Sequence, residues 1–237
     1  MNPAALPERE AERIAALRSY AVLDTPSESR FDDIARVVAH LCDVPIALVS
    51  LVDEDRQWFK ARVGLAVSET PRDLAFCAHA ILSDDLFVIE DARDDPRFAD
   101  NPLVLGGPQI RFYAGAPLAV QGGHRLGTLC AIDDRPRGLD GRQRESLIAL
   151  ARHVVELFEL RRVSAELAEA LARVRTLGEL IPICSHCRKV RDDRDYWSSL
   201  EHFVGSHSGS RFSHGICPDC VREHFPEHAE EALSEVD

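Results

Sequence analysis

The run from Asp140 to Ile181 reads as one long helix, and it constrains the chain more than any other stretch. Within it Leu160, Val163, Leu167, Ala170, Val174, Leu177 and Ile181 recur at alternating spacings of three and four, the apolar seam of a coiled coil. Upstream, Leu147, Leu150, Val154 and Leu157 form a similar seam, and the step from Leu157 to Leu160 shifts its phase as a stammer does. The first seam is expected to pack on its own domain. The second is flanked by Arg161, Arg162, Glu166, Glu169, Arg173 and Arg175, and is expected to pair with its copy in a second chain. With only about three heptads and one alanine it makes a weak zipper. The helix divides the chain into a mixed α/β part before it and a small four-cysteine part after it.

Composition narrows the function classes. A net charge of −12 argues against a nucleic-acid partner, whose phosphates call for Lys and Arg. From Pro182 onward six basic residues face eleven acidic ones, so the cysteine-rich tail is no exception. No apolar run approaches the roughly 20 residues that span a bilayer, and no membrane partner is expected. Met1-Asn-Pro-Ala-Ala-Leu-Pro-Glu-Arg-Glu has neither the basic nor the apolar region of a signal peptide. The expectation is a cytoplasmic protein whose seven cysteines serve as thiols and metal ligands rather than disulfides.

Taken in order, residues 7–20 suggest a short amphipathic helix, and Thr25 or Ser27 is placed to cap a helix over residues 28–42. Val44 to Asp53 is β-branched and apolar, a central buried strand, and Gln57 to Val63 pairs with it as a hairpin. A short helix over 71–84 and a third strand over 86–90 follow. The irregular stretch from Asp91 to Gln109 has the length of a binding or covering loop. Ile110 to Val120 and Arg125 to Asp133 are strands joined at Gln121-Gly-Gly-His, and Asp140 is the expected N-cap of the long helix. This order describes an α+β fold, an antiparallel sheet with helices on one face.

Several phrases in this stretch occur together in one family. Ala47-Leu-Val-Ser-Leu-Val-Asp53 with Gln57-Trp-Phe-Lys60, Glu69-Thr-Pro-Arg72, Phe76-Cys-Ala-His-Ala-Ile81, Val88-Ile-Glu-Asp-Ala92 with Asp95-Pro-Arg-Phe98, and Phe112 to Leu118 with Gly127 to Asp133 resemble bacterial GAF sensor domains. The likeness is to the branch often coupled to histidine kinases and diguanylate cyclases, and it covers residues 8–162. It implies a six-stranded antiparallel sheet with flanking helices, a small-ligand pocket between sheet and long loop, and dimerisation through the terminal helices. The pocket would then draw on Trp58, Cys77, His79, Tyr113 and Cys130. Small thiols buried in a core are the competing explanation for the cysteines. Ala78 separates Cys77 from His79, unlike the directly adjacent Cys-His of bilin-binding members. The motif context of methionine sulfoxide reductases is absent, as is the Asn-Lys-x-Phe-Asp-Glu signature of cyclic-nucleotide binders.

Cys184-Ser-His-Cys187 and Cys217-Pro-Asp-Cys220 lie 29 residues apart. Each pair can present two thiolates from one tight turn, and two turns complete a tetrahedral metal site. Zinc is the expected ion. The spacing also equals that of rubredoxin, an iron protein, but Arg188 and Val221 stand where its glycines would be. The segment has few large apolar residues and needs a metal to fold. It resembles a module appended to many bacterial PAS, GAF and response-regulator proteins. His186 and His214 flank the ligands, and His153 is read as an ordinary helix residue.

These readings combine into three parts: a GAF-like sensor domain at 1–157, a coiled-coil signalling helix at 158–181, and a zinc-ribbon-like module with an acidic tail at 182–237. With no kinase or cyclase domain recognised, the expectation is a homodimeric, non-enzymatic signalling protein. It would sense a small molecule or partner and dock to a downstream signalling protein. The alternatives are a thiol-based redox sensor or reductase using Cys77 and Cys130 or the tail dithiols, and a zinc-dependent nucleic-acid regulator.

Overall fold

A computed structural model describes residues 3–178, 182–191 and 196–228. The chain divides into two compact units, Met1–Ala165 and Glu166–Asp237.

The first unit opens with helices α1 (Glu10–Ser19) and α2 (Ser29–Cys42), followed by strands β1 (Ile46–Val52), β2 (Arg56–Val63) and β3 (Glu69–Pro71). A 3-10 turn (Arg72–Leu74), α3 (Phe76–Ala80), β4 (Phe87–Ile89), α4 (Pro102–Leu105), β5 (Phe112–Ala119), β6 (Arg125–Asp133) and the part of α5 (Gly141–Gly178) up to Ala165 complete it. The strands form one antiparallel sheet in the order β3-β2-β1-β6-β5-β4. Every residue of β1 is buried, as its unbroken apolar run requires of a strand covered on both faces. At the β5–β6 hairpin Gly122 and Gly123 take φ of 86° and 77°, which side chains disfavour.

Helices cover both faces of the sheet, where the sequence suggested one. Ala47, Val49 and Leu51 point to a core shared with α2 and the start of α5. Ile46, Leu48 and Val52 point to a second core, roofed by α3 and the loop that carries α4. α3 falls within the helix expected over 71–84, shortened to five residues, while α4, four residues inside the irregular stretch, is too short to show a period. β3 was likewise missed: three residues ending in proline carry no alternation.

The long helix starts where expected. Asp140 Oδ1 accepts from the Gln143 amide at 2.8 Å, and the Gln143 side chain accepts from the Asp140 amide at 3.0 Å, a reciprocal cap. Leu147, Ala151, Val154 and Phe158 are the residues it buries. Leu150 and Leu157 sit half-buried beside them, so the inward face is turned by one residue from the expected seam at two positions, Ala151 and Phe158 taking their places. Leu160, Val163 and Leu167 are 52%, 50% and 58% exposed. The side chains of Val174 and Leu177, and Ile181 altogether, lie outside the described residues.

Thr25 and Ser27 do not cap α2, whose N-cap residue is Glu28. Thr25 serves a buried ammonium instead. Lys60 occupies a bulge in β2 opposite Val49 and Ser50, its side chain is fully buried, and Nζ donates to Thr25 Oγ1, Pro26 O and Glu28 Oε1 at 2.8, 2.8 and 2.7 Å. A bulge re-aims one side chain, and here it carries the ammonium to within 5.4 Å of the Phe31 ring.

In the second unit, β7 (Val190–Arg191) and β8 (Trp197–Ser198) pair as a two-stranded sheet, followed by α6 (Leu200–Ser208) and α7 (Pro218–His224). Among the described residues here only Val190, Phe203 and Val221 are buried hydrophobics, while Tyr196, Trp197 and Phe212 are exposed. So small a core does not hold a fold unaided. Asp192 to Asp195 and the acidic end beyond His228 lie outside the described residues.

Candidate functional site

The cover loop and the sheet enclose a cavity of about 290 Å³, near the lower bound of pockets that hold drug-sized molecules. Ile46, Leu48 and Phe59 supply its sheet side, Phe76 its helix side, and Leu103 and Pro108 its roof. The roof is pinned in place. Asn101 Oδ1 accepts from the Leu103 amide at 2.8 Å, capping α4, while its Nδ2 donates to the Leu74 carbonyl at 3.0 Å. Phe98, from the same loop, stacks on Phe76 with ring centres 4.0 Å apart. The irregular stretch is thus a cover, as its length suggested.

Two polar residues interrupt this apolar lining from adjacent strands. Gln57 of β2 and Thr70 of β3 are cross-strand partners, and both line the cavity. Gln57 is 5% exposed. Its Oε1 and the Thr70 Oγ1 are buried without a hydrogen-bond partner. A buried oxygen left so costs about 1–3 kcal/mol. Glu69 also lines the cavity, but its side chain is half exposed and accepts from Arg56 at 2.8 Å.

Beneath the cavity lies a thiol cluster. Cys77 Sγ accepts from Thr128 Oγ1 at 3.0 Å and from the Tyr113 hydroxyl at 3.2 Å. Gly115 makes room for that phenol, since a Cβ there would collide with it. Burial alone would raise the Cys77 thiol, but the neighbouring Cys130 and the hydrogen bonds from Thr128 and Tyr113 bring it below its ordinary value. Burial and the neighbouring Cys77 push Cys130 up, so Cys77 ionises first. Burial, with the two thiols, also raises Tyr113 well above its ordinary value.

Of the five residues expected at the pocket, Cys77 and Tyr113 line the cavity, and Cys130 lies beside Cys77 below it, its thiol donating to the Leu48 carbonyl at 3.7 Å. Trp58 packs on the opposite face of the sheet. His79 lies edge-on to Phe98, ring centres 4.8 Å apart, and is not part of the lining. Gln57 and Thr70 were overlooked. The signal was present: a glutamine next to Trp58 in a buried strand must face the other side of the sheet.

In the second unit the first cysteine pair forms a tight turn. The Cys187 amide reaches Cys184 Sγ at 3.5 Å, and the Arg188 amide donates to the Cys184 carbonyl at 3.0 Å. Arg188 takes the left-handed conformation, φ 61°, that a glycine would adopt more easily. Amides of Cys187 and His186 lower the Cys184 thiol. Cys217 is the N-cap of α7 and Cys220 lies in its first turn, where the Cys220 amide lowers the Cys217 thiol. Cys220 is raised in turn by its neighbour Cys217. Two cysteines on one turn, three residues apart, are the arrangement with which a pair holds a metal ion. Among the described residues no group of three or more Cys, His, Asp or Glu side chains is assembled for a metal.

The family model described as the GAF domain matches residues 26–172, well over half of the chain. The chain belongs to the GAF domain family. The sensor resemblance of the sequence holds, and this is a signalling protein with a GAF sensor domain. Over 132 residues, 56% of the chain, it is 48% identical to a protein of Pseudomonas aeruginosa named as a cyclic di-GMP phosphodiesterase. The chain spans 22% of that relative's length. The fold is similar to that of the GAF domain from a phosphoenolpyruvate-protein phosphotransferase of Coxiella burnetii, with 15% identity and a TM-score of 0.51. That match covers 67% of this chain and 99% of the other. The GAF domain of Thermosynechococcus elongatus PixJ, in its blue-light-absorbing form, matches with 12% identity and a TM-score of 0.50, over 65% and 93% of the two chains.

The phosphodiesterase relative overturns one expectation. The sequence was read as that of a non-enzymatic protein because no kinase or cyclase domain was recognised. A stretch 48% identical to this one belongs to a protein named as an enzyme, so that inference from absence does not stand. No helix among the described residues is long and apolar enough to cross a membrane.

Proposed function

We propose that this GAF domain is a cytoplasmic small-molecule sensor that governs cyclic di-GMP turnover. The cavity under the cover loop, mostly apolar but with Gln57 and Thr70 unpaired in its lining, carries the sensing half of this reading. The Pseudomonas relative supports the output half. Strand β2 offers a route between cavity and helix. Gln57 and Phe59 line the cavity, while Lys60 beside them holds Glu28. Glu28 also binds Arg161 of α5, and Tyr20 binds Glu159 two residues earlier. A ligand that moves β2 shifts the hold on α5, and the helix passes the change on because it has a different free energy in the two states.

The exposed stripe of Leu160, Val163 and Leu167 is read as the face on which a second copy pairs, making a homodimer. Cys184, Cys187, Cys217 and Cys220 would together hold one zinc ion, which supplies cohesion that Val190, Phe203 and Val221 do not. The module so formed would dock a downstream protein.

Native mass spectrometry of the full chain, purified without chelator, tests these assignments together. The expected species is a dimer with one zinc per chain and a retained small molecule. A bare monomer would overturn the reading. For the output, cellular cyclic di-GMP is compared on producing the wild-type chain and a variant with its cavity filled by Leu48→Trp. Equal levels would remove the link to cyclic di-GMP.

A further inference from the structure

The cavity's polar groups say what kind of molecule it takes, an inference that rests on the sensing role proposed above. Gln57 and Thr70 face one another across β2 and β3, yet their oxygens are not joined to each other or to any other protein group. Around them the walls are aliphatic and aromatic. The lining contains no Lys, Arg or His, and its one carboxylate, Glu69, is already engaged by Arg56. An anion entering here would lose its water without gaining a counter-charge. The volume, about 290 Å³, suits a molecule of one or two rings.

We infer that the ligand is a small, uncharged, largely apolar molecule bearing one hydroxyl or N–H group, which bonds to the Gln57 carboxamide and the Thr70 hydroxyl. A hydroxyl can give and take a hydrogen bond, and so suits the amide and the threonine together. The rest of the molecule lies among Leu48, Phe59, Phe76 and Leu103. It follows that cyclic di-GMP, a dianion, is not the molecule sensed here. The domain reports on a compound chemically unlike the messenger whose turnover it governs.

Three probes of one shape separate the possibilities: 2-naphthol, its methyl ether 2-methoxynaphthalene, and the anionic 2-naphthoate. Each is titrated into the full chain and followed by calorimetry and by the shift in Tm. The naphthol is expected to bind about tenfold more tightly than the ether, the worth of one hydrogen bond to an otherwise unpaired group. Naphthoate should bind most weakly. In the double variant Gln57→Leu with Thr70→Val the naphthol should fall to the level of the ether, while the ether's own affinity, which reports an intact cavity, stays unchanged. Equal binding of naphthol and ether by the wild type, as when a trapped water satisfies the amide, overturns the inference and leaves the sensing role standing. Tightest binding by naphthoate also overturns it. Failure of all three to bind removes the cavity as a ligand site and takes both readings with it.

Discussion

The two faces of the GAF sheet bury apolar side chains alike but treat polar groups in opposite ways. On the helix face the one ammonium, Lys60, has all three of its hydrogens placed on oxygens, and Glu28 is shared with a second cation, Arg161. On the cavity face Gln57 and Thr70 keep unpaired oxygens, and Cys77 is surrounded by more donors than a core thiol needs. The cysteines repeat the contrast. Cys42, in the helix-face core, is pushed up to about 11 by burial, while Cys77 is held below its ordinary value. A face whose buried ammonium is paired on every hydrogen is built to hold, and one with oxygens left over at its cavity is built to receive. The difference lies in packing and polar pairing, since both faces belong to the same six strands.

The contrast makes measurable demands. The largest effect should come from the helix face: Phe158, fully buried against Tyr20 and Phe31, is expected to cost about 3–5 kcal/mol when changed to alanine. Urea unfolding would show it, and a loss under about 1 kcal/mol would mean that α5 is not part of the domain's core. Next comes Glu28→Gln, which strips a partner from Lys60 and is expected to cost about 1.5–3 kcal/mol. Its pH dependence has a definite sign. Burial would raise the Glu28 carboxyl, but Lys60 and Arg161 hold it below its ordinary value. The stabilisation is therefore complete above the ordinary glutamate value of about 4.3, and it disappears as the pH falls through the lower folded-state value. Melting curves between neutral and acid pH should converge for wild type and Glu28→Gln; parallel curves would deny the clamp.

On the cavity face the sign should reverse. Removing the unpaired oxygens with Gln57→Leu and Thr70→Val is expected to leave the ligand-free domain more stable, by about 1 kcal/mol. A loss of similar size would show that those groups are satisfied and that the two faces do not differ. The smallest effect concerns the thiols. At slightly alkaline pH a small neutral thiosulfonate should modify Cys77 about fivefold faster than Cys42, as read from peptide masses. Equal rates would sink the claim that the hydroxyls around Cys77 favour its thiolate.

Much of this was legible in the sequence, for a physical reason that also explains the gaps. β1, β5 and β6 are long and buried on both faces, so their apolar runs announce them. The Asp140 cap and the glycine pair at the hairpin are local chemistry and were read correctly. The inward face of α5 was partly misjudged. Both Leu157 and Phe158 are large and apolar and adjacent in sequence, so spacing alone fits a seam through either one, and it is Phe158 that packs against Tyr20 and Phe31. At the cavity, Trp58 drew attention that belonged to its neighbour Gln57, since aromatic residues are conspicuous and a lone glutamine is not. Cys77 and Tyr113 were found through the family likeness. Nothing local to Lys60 announces that it lies in a bulge, because that depends on register with another strand.

The strand order has one more consequence. The sheet begins with β3 and ends with β4, each only three residues long, and β3 closes on Pro71, which has no N–H to offer. A neighbouring molecule that approached either margin would find room for few ladder bonds. The folded domain is thus a poor template for fibre growth even where it is crowded. Precipitation during overproduction should then trace to chains that have not finished folding, and it should respond to slower synthesis at lower temperature rather than to changes at the sheet's margins.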